Sequence, residues 1–255
     1  MALESYLRKR LEEKGILLMT HIVLGYPSLA DCEMIVAAMV KAGVDLMELQ
    51  IPFSEPIADG PVILHANQKA LAAGTTVKQC LDFAAQVARA YDIPFLLMSY
   101  YNILHRHGVD GFVQAMATRG LRGAIVPDLP PEEGREYLEA MARRELDPIL
   151  IFSPTSSDER LRYLGSVARG FIYCVARRGV TGAKTDFSED LGAYLARCRR
   201  ATGLPLAVGF GLKSKADVDF LRGRAEIAVI GTQTIRLIES NGVEAVGDFI
   251  RSLRS

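Results

Sequence analysis

Residues 44–61 read VDLMELQIPFSEPIADGP: an apolar run with one carboxylate near its end, then a proline-rich loop. The run has the continuous aliphatic character of a strand covered on both faces, as in parallel sheets flanked by helices. Alternate strand residues share a face, so Glu48 stands with Val44 and Leu46, while Asp45, Met47 and Leu49 face the other way. A carboxylate among aliphatic neighbours is costly unless chemistry uses it. Asp59 follows in an Ala-Asp-Gly-Pro turn, within a loop stiffened by Pro52, Pro56 and Pro61. One carboxyl on a strand tip and one on the next loop form a candidate acid–base pair.

The same strand-then-helix pattern spreads outward from this unit. An amphipathic N-terminal helix precedes LLMTHIVLG (17–25) and the helix SLADCEMIVAAMVKAG (28–43). Beyond the loop, helical stretches near 61–73 and 76–91 lead to strand IPFLLMS (93–99), and GVDGFVQAMATRG leads to GAIVP (123–127). A helix beginning at Pro131 is expected to lead to strand PILIF, because proline suits a first helical turn. Strands FIYCVA (171–176), LPLAVGFG (204–211) and AEIAVIG (225–231) complete the set, with two short helices closing the chain. Eight strands, each followed by helix, predict an α/β fold of the (β/α)8 TIM-barrel class, with an extra N-terminal helix and a short extra helix after strand eight. No linker or compositional break divides residues 1–255, so one barrel domain is expected.

Composition bounds the function. The chain has 255 residues, 49% hydrophobic and 24% charged, with a formal net charge of +0 and a pI near 6.9. That balance gives no electrostatic basis for binding nucleic acid or an anionic membrane. Cys32, Cys80, Cys174 and Cys198 are scattered, without CxxC or metal-ligand spacing, as in a reducing compartment. The charged N-terminal helix is unlike a secretory leader and no apolar run is long enough to span a bilayer, so a cytoplasmic protein is expected.

In such barrels the active site forms at the C-terminal ends of the strands. Glu48, Asp59, Asp128, Tyr173, the loop RRGVTGAKT, Gly209, Gly211 and the Gly231-Thr232 pair all fall there. Glycines let backbone N–H groups approach an anion, and a helix N-terminus favours negative charge. Gly182, Gly209, Gly211, Gly231 and Thr232 therefore form a candidate phosphate cradle, although each alone could be a tight turn. Glu48 could be a barrel acid neutralised by a neighbouring Lys or Arg, but the strands supply almost none. Asp59 and Asp128 are also ordinary turn or cap residues, and His21 reads equally as a satisfied core histidine. His105 and His107 are expected in a loop, with no spacing for a metal site. No strand holds a lysine for a Schiff base, and no His/Asp/Glu cluster predicts a metal.

Taken together, ELQIPFSEPIADGP, LLMSYYN, VPDLPPEE, RRGVTG and GFG, in this order and spacing, resemble the tryptophan synthase α subunit family over nearly the whole chain. The resemblance implies a lyase that cleaves indole-3-glycerol phosphate to indole and glyceraldehyde 3-phosphate in tryptophan biosynthesis. It makes Glu48 the acid–base group and Asp59 the partner of the indole nitrogen. Gly182, Gly211, Gly231 and Thr232 would hold the phosphate, while Tyr173, Leu97, Ile125, Ile151, Phe210 and His21 would line the pocket. Arg177, Gly179 and Thr181 would belong to a lid. Pro52, Glu55, Pro56, Asn102 and the PDLPP loop would meet a pyridoxal-phosphate β subunit in an α2β2 assembly, with no cofactor in this chain itself. A stand-alone indole-releasing lyase, a related phosphate-binding lyase or isomerase, and a non-catalytic activator of a β subunit are the competing readings. The sequence departs from the family pattern at Gln50, Glu55, His21 and the GTQ after the last strand.

Overall fold

The computed structural model describes residues 2–175, 189–209 and 211–254. Eight parallel strands close on one another in sequence order, β1 pairing with both β2 and β8. They are β1 (Leu17–Val23), β2 (Leu46–Gln50), β3 (Phe95–Met98), β4 (Gly123–Ile125), β5 (Asp147–Phe152), β6 (Ile172–Val175), β7 (Leu206–Gly209) and β8 (Ile227–Ile230). The fold is thus the (β/α)8 barrel that the repeated units predict.

The helices start where the side chains can satisfy free backbone N–H groups. Ser28 accepts from the N–H of Asp31 at the head of α2 (Leu29–Lys41), after α1 (Leu3–Lys14). Pro61 opens α3 (Pro61–Ala72), and Thr76 with Gln79 forms a reciprocal capping box on α4 (Val77–Ala90). Two expectations are corrected here. His105 and His107 lie in the last turn of a helix, α5 (Tyr101–His107), which precedes α6 (Val109–Thr118). Pro131 does not open a helix: residues 131–133 form a turn and α7 spans Arg135–Arg143. The run PDLPPEEG has too many turn-forming residues for the helix to begin there. The outer layer continues with α8 (Asp158–Val167), α9 (Glu189–Ala201) and α10 (Lys215–Leu221). Two helices then follow β8: α11 (Thr232–Asn241) and α12 (Glu244–Ser252).

Strand alternation divides the core into two layers. Met47, Leu49, Leu97, Val208 and Ala228 pack outward with the helices. Leu17, Met19, Leu46, Leu96, Met98, Ile149, Ala207 and Ile227 fill the barrel itself. Leu3 and Leu7 of α1 join that inner set and close the bottom of the barrel. Burying such a leucine contributes about 1.5–3 kcal/mol. Among the described residues a cavity opens at the top of the barrel.

Candidate active site

Two acids on one strand segment have opposite surroundings. Asp45, just before β2, is fully buried at the bottom, where it pairs with Lys14 Nζ at 2.6 Å, Arg10 Nη2 at 3.5 Å and Arg254. It also accepts the Leu18 N–H at 2.9 Å. Glu48, at the top and only 3% exposed, has no lysine or arginine within ion-pair distance among the described residues. Among the described residues its ion-pair partner is His21, whose Nδ1 lies 3.2 Å from Glu48 Oε1. The parallel register sets those two residues side by side. A structural acid is saturated with cations, and this one is not.

Asp59 reaches the same cavity because its loop is tied down. The Phe53 N–H donates to Asn67 Oδ1 at 2.9 Å, and Phe53 stacks on Tyr100 at 5.1 Å. Tyr100 then accepts from the Ala58 N–H at 3.1 Å and donates to Asp59 Oδ2 at 3.1 Å. Gln50 Nε2 donates to the same oxygen at 2.6 Å. The glutamine at the barrel mouth is therefore a holder of Asp59. Burial pushes the Asp59 carboxyl above its usual range, against the pull of His21, Gln50 and Tyr100. Burial alone would draw His21 down, but Glu48 beside it outweighs this and leaves the imidazole above its ordinary value. Tyr173 is driven well upward by burial and by the charges of Glu48 and Asp59 across the cavity.

The cavity holds about 710 Å³ including its open mouth, within the ~300–1,000 Å³ of small-molecule sites. It brings together His21, Glu48, Asp59, Ile125, Ile151, Tyr173, Gly209, Gly211, Gly231 and Thr232. Gly211 has φ +83°, a left-handed backbone that favours glycine. Thr232 begins α11, so the free N–H end of that helix adjoins the cavity. Gly182, Arg177, Gly179, Thr181 and Phe210 lie outside the described residues.

Leu97 is not part of this cavity. Glu48 pairs with Leu96, so on β3 the inward residues are Leu96 and Met98, and Leu97 packs against the helices. Met98 lines the cavity in its place, along with Ala58, Ile63, Pro127, Val175 and Val229. Counting alternate residues outward from Glu48 would have found Met98. Asp128 caps α5 by accepting the Tyr101 N–H at 2.9 Å, as a turn or cap residue would. On the outer side of the Asp59 loop, Pro52 and Pro56 are buried and supply only rigid backbone to any partner-facing surface. Glu55 and Ile57 of that loop are exposed, Ile57 to 72%, as is Asn102 on α5.

Comparison with known proteins was then informative. The family model described as tryptophan synthase alpha chain matches residues 7–252. The tryptophan synthase alpha chain of Desulforapulum autotrophicum is 61% identical over 98% of this chain and 99% of its own length. That of Syntrophotalea carbinolica is 59% identical over 99% of this chain and 100% of its own length. Among solved structures, Mycobacterium tuberculosis tryptophan synthase superposes with a TM-score of 0.92 at 29% identity, covering 100% of this chain and 98% of that one. A mutant tryptophan synthase alpha-subunit from Pyrococcus furiosus superposes with a TM-score of 0.86 at 27% identity, over 94% and 98% of the two chains.

Proposed function

The chain belongs to the tryptophan synthase alpha chain family, and from that premise we propose that Glu48 and Asp59 are its catalytic carboxyls. The reaction is the lyase step of tryptophan biosynthesis, cleavage of indole-3-glycerol phosphate to indole and glyceraldehyde 3-phosphate. The carbon–carbon bond breaks only when the indole becomes a competent leaving group, which requires a proton on ring carbon three. Glu48 supplies that proton. The resulting positive charge spreads to the indole nitrogen, whose N–H is held by Asp59. Both hydrogen bonds from Gln50 and Tyr100 fall on Asp59 Oδ2, which leaves Oδ1 for the indole. The indole packs against Met98, Ile125, Ile151 and Tyr173, and the phosphate lies on Gly211, Gly231 and Thr232. Gly182 and the segment with Arg177, Gly179 and Thr181 complete the phosphate side and the lid in this reading. Phosphate binding positions the reacting carbon against Glu48.

The observation that carries the assignment is that two carboxyls, neither paired with a lysine or arginine among the described residues, share one cavity with two glycine-bearing loops. The test is a spectrophotometric indole-release assay on indole-3-glycerol phosphate. Glu48→Gln is expected to lose at least ~10²-fold in turnover while still binding glycerol 3-phosphate. Turnover at the unmodified rate overturns the assignment.

The family implies a β-subunit partner. We infer an α2β2 assembly, with pyridoxal phosphate in the β subunit and no cofactor in this chain. Exposed Glu55, Ile57 and Asn102, beside the loop that bears Asp59, supply the contact face. Among the described residues no helix is long and apolar enough to cross a membrane, and a cytoplasmic site of action fits a biosynthetic step. The whole chain acts as one barrel domain.

A further inference from the structure

Cleavage must also remove the proton of the side-chain hydroxyl as the aldehyde forms. We propose that His21 takes that proton, so that Glu48 and His21 act as one bifunctional acid–base unit. The inference rests on Glu48 being the acid that protonates the indole.

The geometry comes from β1 lying between β2 and β8. His21 stands opposite Glu48 on one side. On the other it faces Gly231, where an added Cβ would come within 3.4 Å of His21 Cβ. A substrate that reaches from the phosphate loops to Glu48 therefore passes over the imidazole, its glycerol hydroxyls first. His21 Nδ1 is 3.2 Å from Glu48 Oε1, whereas the other atom of each group, His21 Nε2 and Glu48 Oε2, is buried without a partner among the described residues. Leaving a buried polar atom unsatisfied is costly. A satisfied core histidine would not leave its nitrogen this way. A hydroxyl at Nε2 and a proton-accepting carbon near Oε2 would engage both atoms at once.

The protons balance. In the reacting form Glu48 carries its proton on Oε2 and His21 carries one on Nδ1. The Oε2 proton passes to indole carbon three, and the electron pair of the breaking carbon–carbon bond returns to the ring and restores neutral indole. The hydroxyl O–H pair becomes the carbonyl, its proton going to His21 Nε2 while the Nδ1 proton moves to Glu48 Oε1. The pair ends with the protons it began with, on opposite atoms, and needs no outside donor.

Charge supports this arrangement. The titratable groups turned toward His21 are Glu48 on β2, Asp59 in the following loop and Tyr173 across the cavity on β6, while β8 offers only backbone at Gly231. Glu48, with Asp59 and Gln50 behind it, holds the imidazole above its ordinary 6.5 despite burial, so the pair shares a proton that a lone imidazole would release sooner. Loss of that proton leaves a carboxylate that cannot protonate carbon, so kcat/KM falls as pH rises through the raised pKa.

The test is the pH dependence of indole release by the full chain, by His21→Asn and by His21→Phe. Asparagine keeps an amide N–H beside Glu48 and removes only the Nε2 base. Both variants are expected to lose about 10²-fold in kcat with unchanged glycerol 3-phosphate affinity. In His21→Asn the alkaline limb is displaced, because the imidazole whose raised pKa sets it is gone. Full turnover by His21→Asn with the limb in place overturns the proposal. So does the absence of an alkaline limb in the unmodified chain, a result that does not depend on either variant folding. Glu48→Gln separates the two claims: an active Glu48→Gln removes the underlying assignment, whereas an inactive one beside an active His21→Asn removes only the role of His21.

Discussion

Glu48 stood out in the sequence as a candidate acid because no strand brings it a lysine or arginine, and sequence shows that directly. Gln50 was legible only as a bulky departure at the barrel mouth. Its use depends on a loop folding back to put Asp59 Oδ2 2.6 Å from its amide, which no spacing rule reveals. His21 read from residues alone as a core histidine and from the resemblance as a pocket residue; only the register showed that it stands against Glu48. Gln50 also yields a prediction at this scale. Its hydrogen bond favours the charged form of Asp59 and so opposes the upward push of burial. Removing it in Gln50→Ala raises the Asp59 pKa further. Asp59 then protonates at higher pH and stops accepting the indole N–H, so the acid limb of kcat/KM should move to higher pH. A limb that stays put would show that Gln50 does not hold the carboxyl.

Elements were easier to place than the phase of their side chains. The β3 run FLLM is apolar throughout, so composition cannot say which residues face the pocket. The partner strand decides it, and Met98 rather than Leu97 points inward. The helix at 101–107 and the late start of α7 were missed because both adjoin runs rich in turn-forming residues, where local preference is divided. The loop after β7 was expected to form one side of a phosphate cradle, and Gly211 lines the cavity with φ +83°, a backbone that favours glycine. Gly211→Val strains that backbone and puts a branched side chain into the cradle. Affinity for glycerol 3-phosphate, measured by calorimetry, should fall by at least ~10-fold, a loss of about 1.4 kcal/mol. Unchanged affinity would remove this loop from the phosphate site.

At the scale of the molecule, the two ends of the barrel have separate duties. The top carries carboxyls with no lysine or arginine partner among the described residues, and at the bottom Asp45 gathers Arg10 and Lys14 from α1 with Arg254 from the end of the chain. The barrel itself was legible from eight repeated units, but this clamp was not, since it joins residues far apart in sequence. Asp45→Asn leaves three cations without their anion and should destabilise the fold by about 3 kcal/mol in a denaturant titration, with indole release per folded molecule unchanged. Lost activity at full stability would contradict that division. The central claim is that Glu48 delivers the proton that breaks the bond. Rapid mixing of Glu48→Gln with saturating indole-3-glycerol phosphate tests it without interference from binding or product release. The account predicts a fully occupied site and no indole formed on the timescale of the unmodified chain's first turnover, whereas a burst of indole at the unmodified rate would contradict it.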